Sequence, residues 1–393
     1  MNMANTVLHG PALAEFIRGA IALETTGSGG ILPHRLPAWA LAQCRDPQLA
    51  MAESQPSGVR LVFQTEATTL ELVTLPTKRI YPGMPARPDG VVDLLVDGRL
   101  AAQASAPAGR QVRMDFAGGS TVIDPGHPQR LRFDGLADRL KTIELWLPHD
   151  ETTELLALHA DAPLHPDPEP ARRSWLHHGS SISHGSNASH PSGTWPAVAA
   201  RLAGVDLVNL GFGGNALLDP FTARTMRDAP ADVISVKIGI NLVNRDLMRL
   251  RAFGPAVHGF LDTIREGHPR ASLLVISPLL CPIHETTPGP TAFDPASLAA
   301  GKLNFQAAGK PDEIAQGKLT LESIRAQLRD IVAQRARADE RIHYLDGTLL
   351  YGPEDSERLP LPDGLHPDAA AQGLIGERFA ALAFADGPFR KAM

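Results

Sequence analysis

The sequence predicts a two-part molecule, an all-β sandwich followed by an α/β half built on a five-stranded parallel sheet. Three observations predict it. Short β-prone segments with little helix between them fill residues 59–158. From about residue 174 onward, apolar strands alternate strictly with helical stretches. Between these patterns lies a proline-rich polar stretch, residues 161–172, which reads as a linker. The 393 residues are too many for one average domain. The division assigns residues 1–165 to the sandwich and 166–393 to the α/β half.

In the first half, Val59 to Gln64 and Thr69 to Thr74 alternate apolar and polar residues, as half-buried strands do. Val91 to Val96 runs into Asp97-Gly98, and Arg99 to Ala102 follows. Asp-Gly between two such runs predicts a hairpin. Residues 112–116, Arg130 to Phe133 and Thr142 to Leu147 continue the series. This spacing predicts an antiparallel sandwich.

In the second half, strands are expected at Trp175–His178, Val205–Leu210, Val233–Ile238, Ser272–Ile276 and Ile342–Leu345. Helices are expected at Thr194–Leu202, Ala216–Arg227, Asp246–Glu266, Thr320–Ala338 and Asp368–Phe384. The fourth of these carries apolar residues at Leu321, Ile324, Leu328, Ile331 and Val332, one face of a helix. Alternation of this kind means right-handed parallel crossovers and a sheet covered on both faces. Ligands gather beyond the carboxyl ends of such strands. Residues 282–316, rich in Pro, Gly and Ala, follow the fourth strand on that side. Long loops without structure are uncommon and often functional. This one is expected to form a wall or lid with Phe293 and Phe305 as apolar substrate contacts; the alternative is a solvent-exposed decoration.

Charge and composition exclude several classes. The net charge of −6 offers no basic footprint for nucleic acid or anionic lipid. No stretch reaches the roughly 18 uninterrupted apolar residues of a membrane helix. The apolar segment from Ala12 to Leu23 is broken by Glu15 and Arg18 and lacks a basic start, so no secretory signal is expected. Two cysteines, Cys44 and Cys281, cannot build a disulfide framework and read as free thiols in a reducing cytoplasm. The oligomeric state stays open.

Four segments carry chemistry. Gly179-Ser-Ser181-Ile-Ser183 ends the first strand of the α/β half. Gly179 permits a tight exit, and Ser181 becomes a nucleophile if a base removes its proton. Gly211, Gly213 and Gly214 follow the second strand, where bare backbone N–H groups can approach an oxyanion. Asn241 follows the third, and its neutral amide can donate to the same charge. Asp363 and His366 precede the last helix, three residues apart, so the carboxylate can orient the imidazole. Taken singly, each segment has a plain structural reading as a turn, a packing glycine or a helix cap. Asp346, after the fifth strand, is a rival carboxylate. His177, His178, His184 and His190 crowd the nucleophile region, but their spacing matches no common zinc pattern. No metal or cofactor is expected. His178 or His184 is expected to line the substrate pocket.

In these blocks the chain resembles the SGNH, or GDSL, hydrolase superfamily. The first block, Gly-Asp-Ser-[Leu/Ile]-[Ser/Thr], matches residues 179–183 with Ser180 in place of Asp. Asn-x-Gly-x-x-Gly matches Asn209 to Gly214, Gly-x-Asn-Asp matches Gly239 to Asn241 with Leu242 in place of the last Asp, and Asp-x-x-His matches Asp363 to His366. The resemblance covers residues 174–385. It implies a three-layer α/β/α, flavodoxin-like domain. It implies Ser181 as nucleophile, His366 as base and Asp363 as its partner, with the N–H groups of Ser181 and Gly214 and the amide of Asn241 as oxyanion hole. Ser180 can cap the following turn, whereas Leu242 removes a carboxylate that would anchor Asn241. The first half is similar in arrangement to two-domain members whose front domain is a jelly-roll like a carbohydrate-binding module.

Three functions remain. The first is hydrolysis of an ester through an acyl-enzyme. The second is transfer of the same acyl group, from a small-molecule ester or acyl thioester donor, to a hydroxylated acceptor such as a sugar or a polyketide natural product. The third is a binding protein whose α/β half has lost activity. The first two need the same triad and differ in whether water or an alcohol is better placed at the second step.

Overall fold

The computed structural model describes residues 6–84, 86–114, 121–167 and 172–390. The chain divides into two compact units. One comprises the described residues of Met1–Arg35, Glu53–Ala171 and His190–Ser192. The other comprises those of Leu36–Ala52, Arg172–Ser189 and Gly193–Met393.

In the first unit, an eight-stranded sheet and a six-stranded sheet share one core. Alternation along each strand turns Leu61 and Phe63 from one sheet towards Leu70, Leu72, Leu155 and Leu158 from the other, all buried. The predicted hairpin joins Val91–Val96 to Arg99–Ser105. Asp97 and Gly98 both take positive φ, 49° and 75°, as a two-residue turn matched to strand twist requires. One pair departs from the antiparallel expectation, because Leu70–Ile80 and Arg110–Met114 run parallel. Residues 115 and 116 of the predicted segment 112–116 lie outside the described residues. Part of the expected linker is a strand, since Leu164–Pro166 pairs with Arg60–Thr65 at a sheet edge. Proline is tolerated there because an edge strand can do without its N–H. Residues 168–171 of that linker lie outside the described residues.

In the second unit, β1 (Ser174–Gly179), β2 (Asp206–Gly211), β3 (Val233–Lys237), β4 (Ser272–Ile276) and β5 (Ile342–Leu345) form an all-parallel sheet in the order 2-1-3-4-5. The sheet is interior on both faces. After β1 comes the short helix α1 (Ser181–His184), then α2 (Trp195–Ala203), α3 (Pro220–Asp228), α4 (Leu250–Gly267), α5 (Leu321–Arg335) and α6 (Ala369–Phe379). On one face Trp175 of β1 stacks on Phe379 of α6, with ring centroids 5.0 Å apart, and meets Trp195 of α2. On the other, His178 stacks on Phe260 of α4.

Several helices differ from expectation at their starts. α3 begins at Pro220 rather than Ala216, because the chain first holds Leu218 at a left-handed φ of 64°. α4 begins at Leu250 rather than Asp246, which itself has φ 50°. α5 opens on reciprocal bonds between Thr320 and Ser323, a capping box with serine in the usual Glu position. The 282–316 segment is not structureless. Thr291–Phe293 pairs with Phe305–Ala307, and the short helix Pro295–Ala299 between them is capped by Asp294. Two short helices, Ala38–Leu41 and Pro47–Ser54, were not expected. Among the described residues no helix is long and apolar enough to cross a membrane.

Trp175 is fully buried, its Nε1 donating to Ser235 Oγ at 2.8 Å. Trp175→Ala is expected to cost about 3–5 kcal/mol in chemical denaturation, the usual penalty for emptying an aromatic core site.

Candidate active site

The loops that leave the carboxyl ends of β1, β2 and β3 meet the loop that enters α6. β5 lies at the sheet edge, three strands from β1, yet α6 returns across the sheet to pack on α2 and Trp175. Gln372 of α6, fully buried, accepts a bond from Trp195 N at 2.9 Å and donates to the carbonyls of Ile182 and Ser186. The segment just before α6 is thereby held against the start of α1.

Ser181 Oγ lies 2.9 Å from His366 Nε2, and His366 Nδ1 lies 2.8 Å from Asp363 Oδ2. The other carboxylate oxygen, Oδ1, accepts the N–H groups of Leu365 and His366 at 2.9 and 2.7 Å. Burial alone would raise the Asp363 carboxyl, but the bonds and charge of His366 hold it below the usual carboxylate range. The rival Asp346 is engaged elsewhere, accepting the N–H and hydroxyl of Thr348 as the cap of a short turn. Ser180 caps α1 through the N–H of Ile182. A Cβ on Gly179 would collide with Ser183 Oγ, so no larger residue fits at this strand exit. Asn209 pins the far end of α1 by donating to Ser183 O at 2.8 Å while accepting from Gly211 N.

Among the described residues, the N–H groups of Ser181 and Gly214 meet no acceptor. Gly214 takes φ 73°, a conformation that suits glycine and bares its N–H. Asn241 Oδ1 accepts from Ala216 N at 3.0 Å, which fixes which end of the amide meets that loop. The Ala216 bond anchors the side chain where Leu242 cannot.

The remaining expected residues divide. Phe305 meets the His366 ring edge-on with centroids 5.7 Å apart, and its N–H donates to Asp363 O. Phe293 packs on Phe305 at 5.4 Å and stays 45 % exposed. His184 is buried, with Nδ1 accepting from Gly213 N at 3.3 Å. His178 is not at a pocket wall. It is 2 % exposed, bonded to Leu210 O, and burial lowers it to about 4. Because side chains alternate along a strand, position 178 points into the α4 layer. His177, buried between the hydroxyls of Ser235 and Ser183, and His190, bonded to Asp93 in the first unit, are likewise separate.

Sequence reasoning missed two groups. Asn187, at φ 65°, donates to Asp363 Oδ2 at 3.2 Å and to His366 O. Asparagine after a Gly-Ser turn was the available signal, since it tolerates the left-handed region. The second group surrounds Gly214. A Cβ there would stand 3.4 Å from Arg245 Nη2 and 3.9 Å from Gln48 Cγ, and Gln48 Nε2 donates to Gly213 O at 3.3 Å. Arg245 faces Asp46 at 3.8 Å, and burial with the Asp46 charge pushes Asp219 up to about 6. Asp46 and Gln48 lie between sandwich strands in sequence, after Ile31–His34 and before Arg60–Thr65, and nothing in their surroundings marks them.

The GDSL-like lipase/acylhydrolase family model matches residues 178–374. Among solved structures, the chain is similar to salicylyl-acyltransferase SsfX3 from a tetracycline biosynthetic pathway, with 28 % identity, a TM-score of 0.78 and 95 % of each chain covered. It shares its fold with family two carbohydrate esterases. That of Clostridium thermocellum has 13 % identity and a TM-score of 0.57, covering 96 % of this chain and 97 % of its own. That of Cellvibrio japonicus has 11 % identity and a TM-score of 0.57, covering 96 % of both. No curated protein sequence is detectably similar to the chain.

Asn187→Asp would set a second carboxylate beside Asp363 and favour the protonated imidazole. The acid limb of the kcat/KM–pH profile is expected to move up by about one unit, whereas Asn187→Gly, which keeps the backbone, should not raise it. Asp219 gives a signed stability effect. Its folded value of about 6 lies above the ordinary 3.8, so the folded protein binds more protons between them and loses stability as pH rises through that window. In urea denaturation, Asp219→Asn should gain on the parent from about pH 4 to pH 6, then hold a constant lead.

Proposed function

The chain belongs to the GDSL-like lipase/acylhydrolase family, and on that premise we propose that it carries a small acyl group on Ser181 between an ester or acyl thioester donor and a hydroxylated acceptor or water. It is an SGNH-type esterase or acyltransferase. One observation carries the finer reading, the continuous line of hydrogen bonds from Ser181 Oγ through His366 to Asp363.

In the proposed reaction Ser181 Oγ attacks the acyl carbon while His366 Nε2 takes its proton. Negative charge moves onto the former carbonyl oxygen, where the N–H groups of Ser181 and Gly214 and the Asn241 amide can receive it. The intermediate collapses, the donor's oxygen or sulfur leaves with the proton from His366, and an ester on Ser181 remains. His366 then deprotonates the incoming hydroxyl, which attacks the same carbon and returns Ser181 to its starting state. Asp363 stabilises the imidazolium at both steps.

The similarity to an acyltransferase over 95 % of its length supports transfer to an alcohol. So does the aromatic pair Phe293 and Phe305, which can pack an acyl group beside His366 and shed water there. Lost activity with retained ligand binding has no support in a site whose groups are in bonding register.

Intact-protein mass spectrometry tests the reading. Chromogenic esters and acyl thioesters should add one acyl mass to the wild type and none to Ser181→Ala, and a protein acylated elsewhere would refute it. Ser181→Ala and His366→Ala should each lose about 10³-fold or more without adding, because they act as one unit. Asn241→Ala should lose roughly 10²–10³-fold in kcat. Phe305→Ala should raise the share of acyl-enzyme lost to water, measured as free acid against acylated acceptor.

A further inference from the structure

The groups around Gly214 have more hydrogen-bonding capacity than the protein uses. Asp219 stands at the N-cap of α3, where an aspartate ordinarily accepts a helix N–H, yet its side chain makes no capping bond. Among the described residues no donor reaches its carboxylate at all. The Arg245 guanidinium likewise makes no hydrogen bond among the described residues, and its one ion pair there is the loose 3.8 Å contact with Asp46. Asp46 is already committed, accepting the N–H groups of Gln48 and Leu49. Gln48 uses one amide hydrogen on Gly213 O. The backbone that presents Asp219 is itself constrained, with Leu218 in the left-handed region.

Arg245 and Gln48 adjoin the loop beside Ser181, and Asp219, at the start of the helix that follows that loop, lies within reach of the Arg245 and Asp46 charges. A Cβ on Gly213 would lie 3.8 Å from Ser181 Cβ, and the next residue, Gly214, meets Arg245 and Gln48. The aromatic pair Phe293 and Phe305 sits with His366 instead. The two flanks therefore differ in chemistry, one apolar and one charged.

We propose that Asp219, Arg245 and Gln48 form the subsite for the alcohol half of the ester, and that this alcohol carries hydroxyl groups beyond the one that is acylated. The proposal rests on the acyl-enzyme reading and names the substrate class at the same site. The charge balance selects the class. An anion would satisfy Arg245 but face Asp219 and Asp46, and an ammonium group would satisfy the acids but face Arg245. A hydroxyl donates to a carboxylate and accepts from a guanidinium, and it is neutral. A polyol with neighbouring hydroxyls answers both groups at once. The subsite serves in either direction, holding the alcohol as it leaves in hydrolysis or arrives in transfer.

Matched esters test this. 6-O-acetylglucose and cyclohexylmethyl acetate share the acyl group and a six-membered ring, and differ in ring oxygen and hydroxyls; 1-monoacetin and n-propyl acetate are a smaller pair. The wild type should favour the hydroxylated member of at least one pair in kcat/KM. Asp219→Ala and Arg245→Met should each cut that preference about tenfold, the scale of a hydrogen bond to a charged group, with most of the change in the KM of the hydroxylated ester. Thermal melts establish that each variant folds; if Arg245→Met does not, Arg245→Gln replaces it. A wild type indifferent to the hydroxyls, or variants that keep the preference, would overturn the subsite. Absence of acyl mass on wild-type Ser181 with every ester would instead overturn the reaction itself, and the subsite with it.

Discussion

The 2.9 Å contact between His366 Nε2 and Ser181 Oγ is the constraint around which the α/β unit is arranged. Its two ends come from opposite sides of the sheet. Ser181 follows β1, second in the strand order, while His366 follows the edge strand β5. What closes the gap is helix packing rather than local sequence. Phe379 stacks on Trp175, and Gln372 bonds both to the start of α2 and to α1, so α6 lies over β1 and the loop before it overhangs Ser181. A buried aromatic contact on the sheet face thus sets the distance between the Ser181 hydroxyl and the His366 ring.

Around that contact the site is sorted by polarity. On the His366 side, the hairpin after β4 lays Phe305 against the imidazole and is tied to Asp363 through a backbone bond. On the Gly214 side, charged and amide groups gather around bare backbone. The loop after β2 is tied to Asn241, whose carbonyl oxygen accepts the Ala216 N–H. That single bond orients an amide that the absent carboxylate at position 242 would otherwise have to steady.

Much of this was legible in the sequence, for identifiable reasons. Strict strand–helix alternation carries the parallel sheet, and the Asp97-Gly98 pair carries its hairpin, because both are short-range signals. The positions of Ser181, Asn241, Asp363 and His366 followed from which strand or helix each adjoins. What escaped was long-range. His178 sits three residues before Ser181 and reads as site-proximal, yet strand alternation turns it towards Phe260. Asn187 looks like a turn residue until the loop folds it onto Asp363. Asp46 and Gln48 lie more than a hundred residues from the first SGNH block, and no periodicity links them to Gly213. The parallel pairing of Leu70–Ile80 with Arg110–Met114 is likewise a matter of topology that residue pattern does not encode.

The stretch Leu36–Ala52 belongs to the α/β unit although sandwich strands flank it on both sides. The polypeptide visits that unit early, departs, and comes back at Arg172, leaving again only for His190–Ser192. Severing the molecule at the proline-rich join would therefore not yield two whole pieces. The downstream fragment would retain Ser181, His366 and Asp363 but forfeit Asp46 and Gln48, and with them the bond to Gly213 O and the ion-pair partner of Arg245. The two halves of the sequence are therefore not the two units of the structure, and a cut between the halves takes residues away from the α/β unit itself.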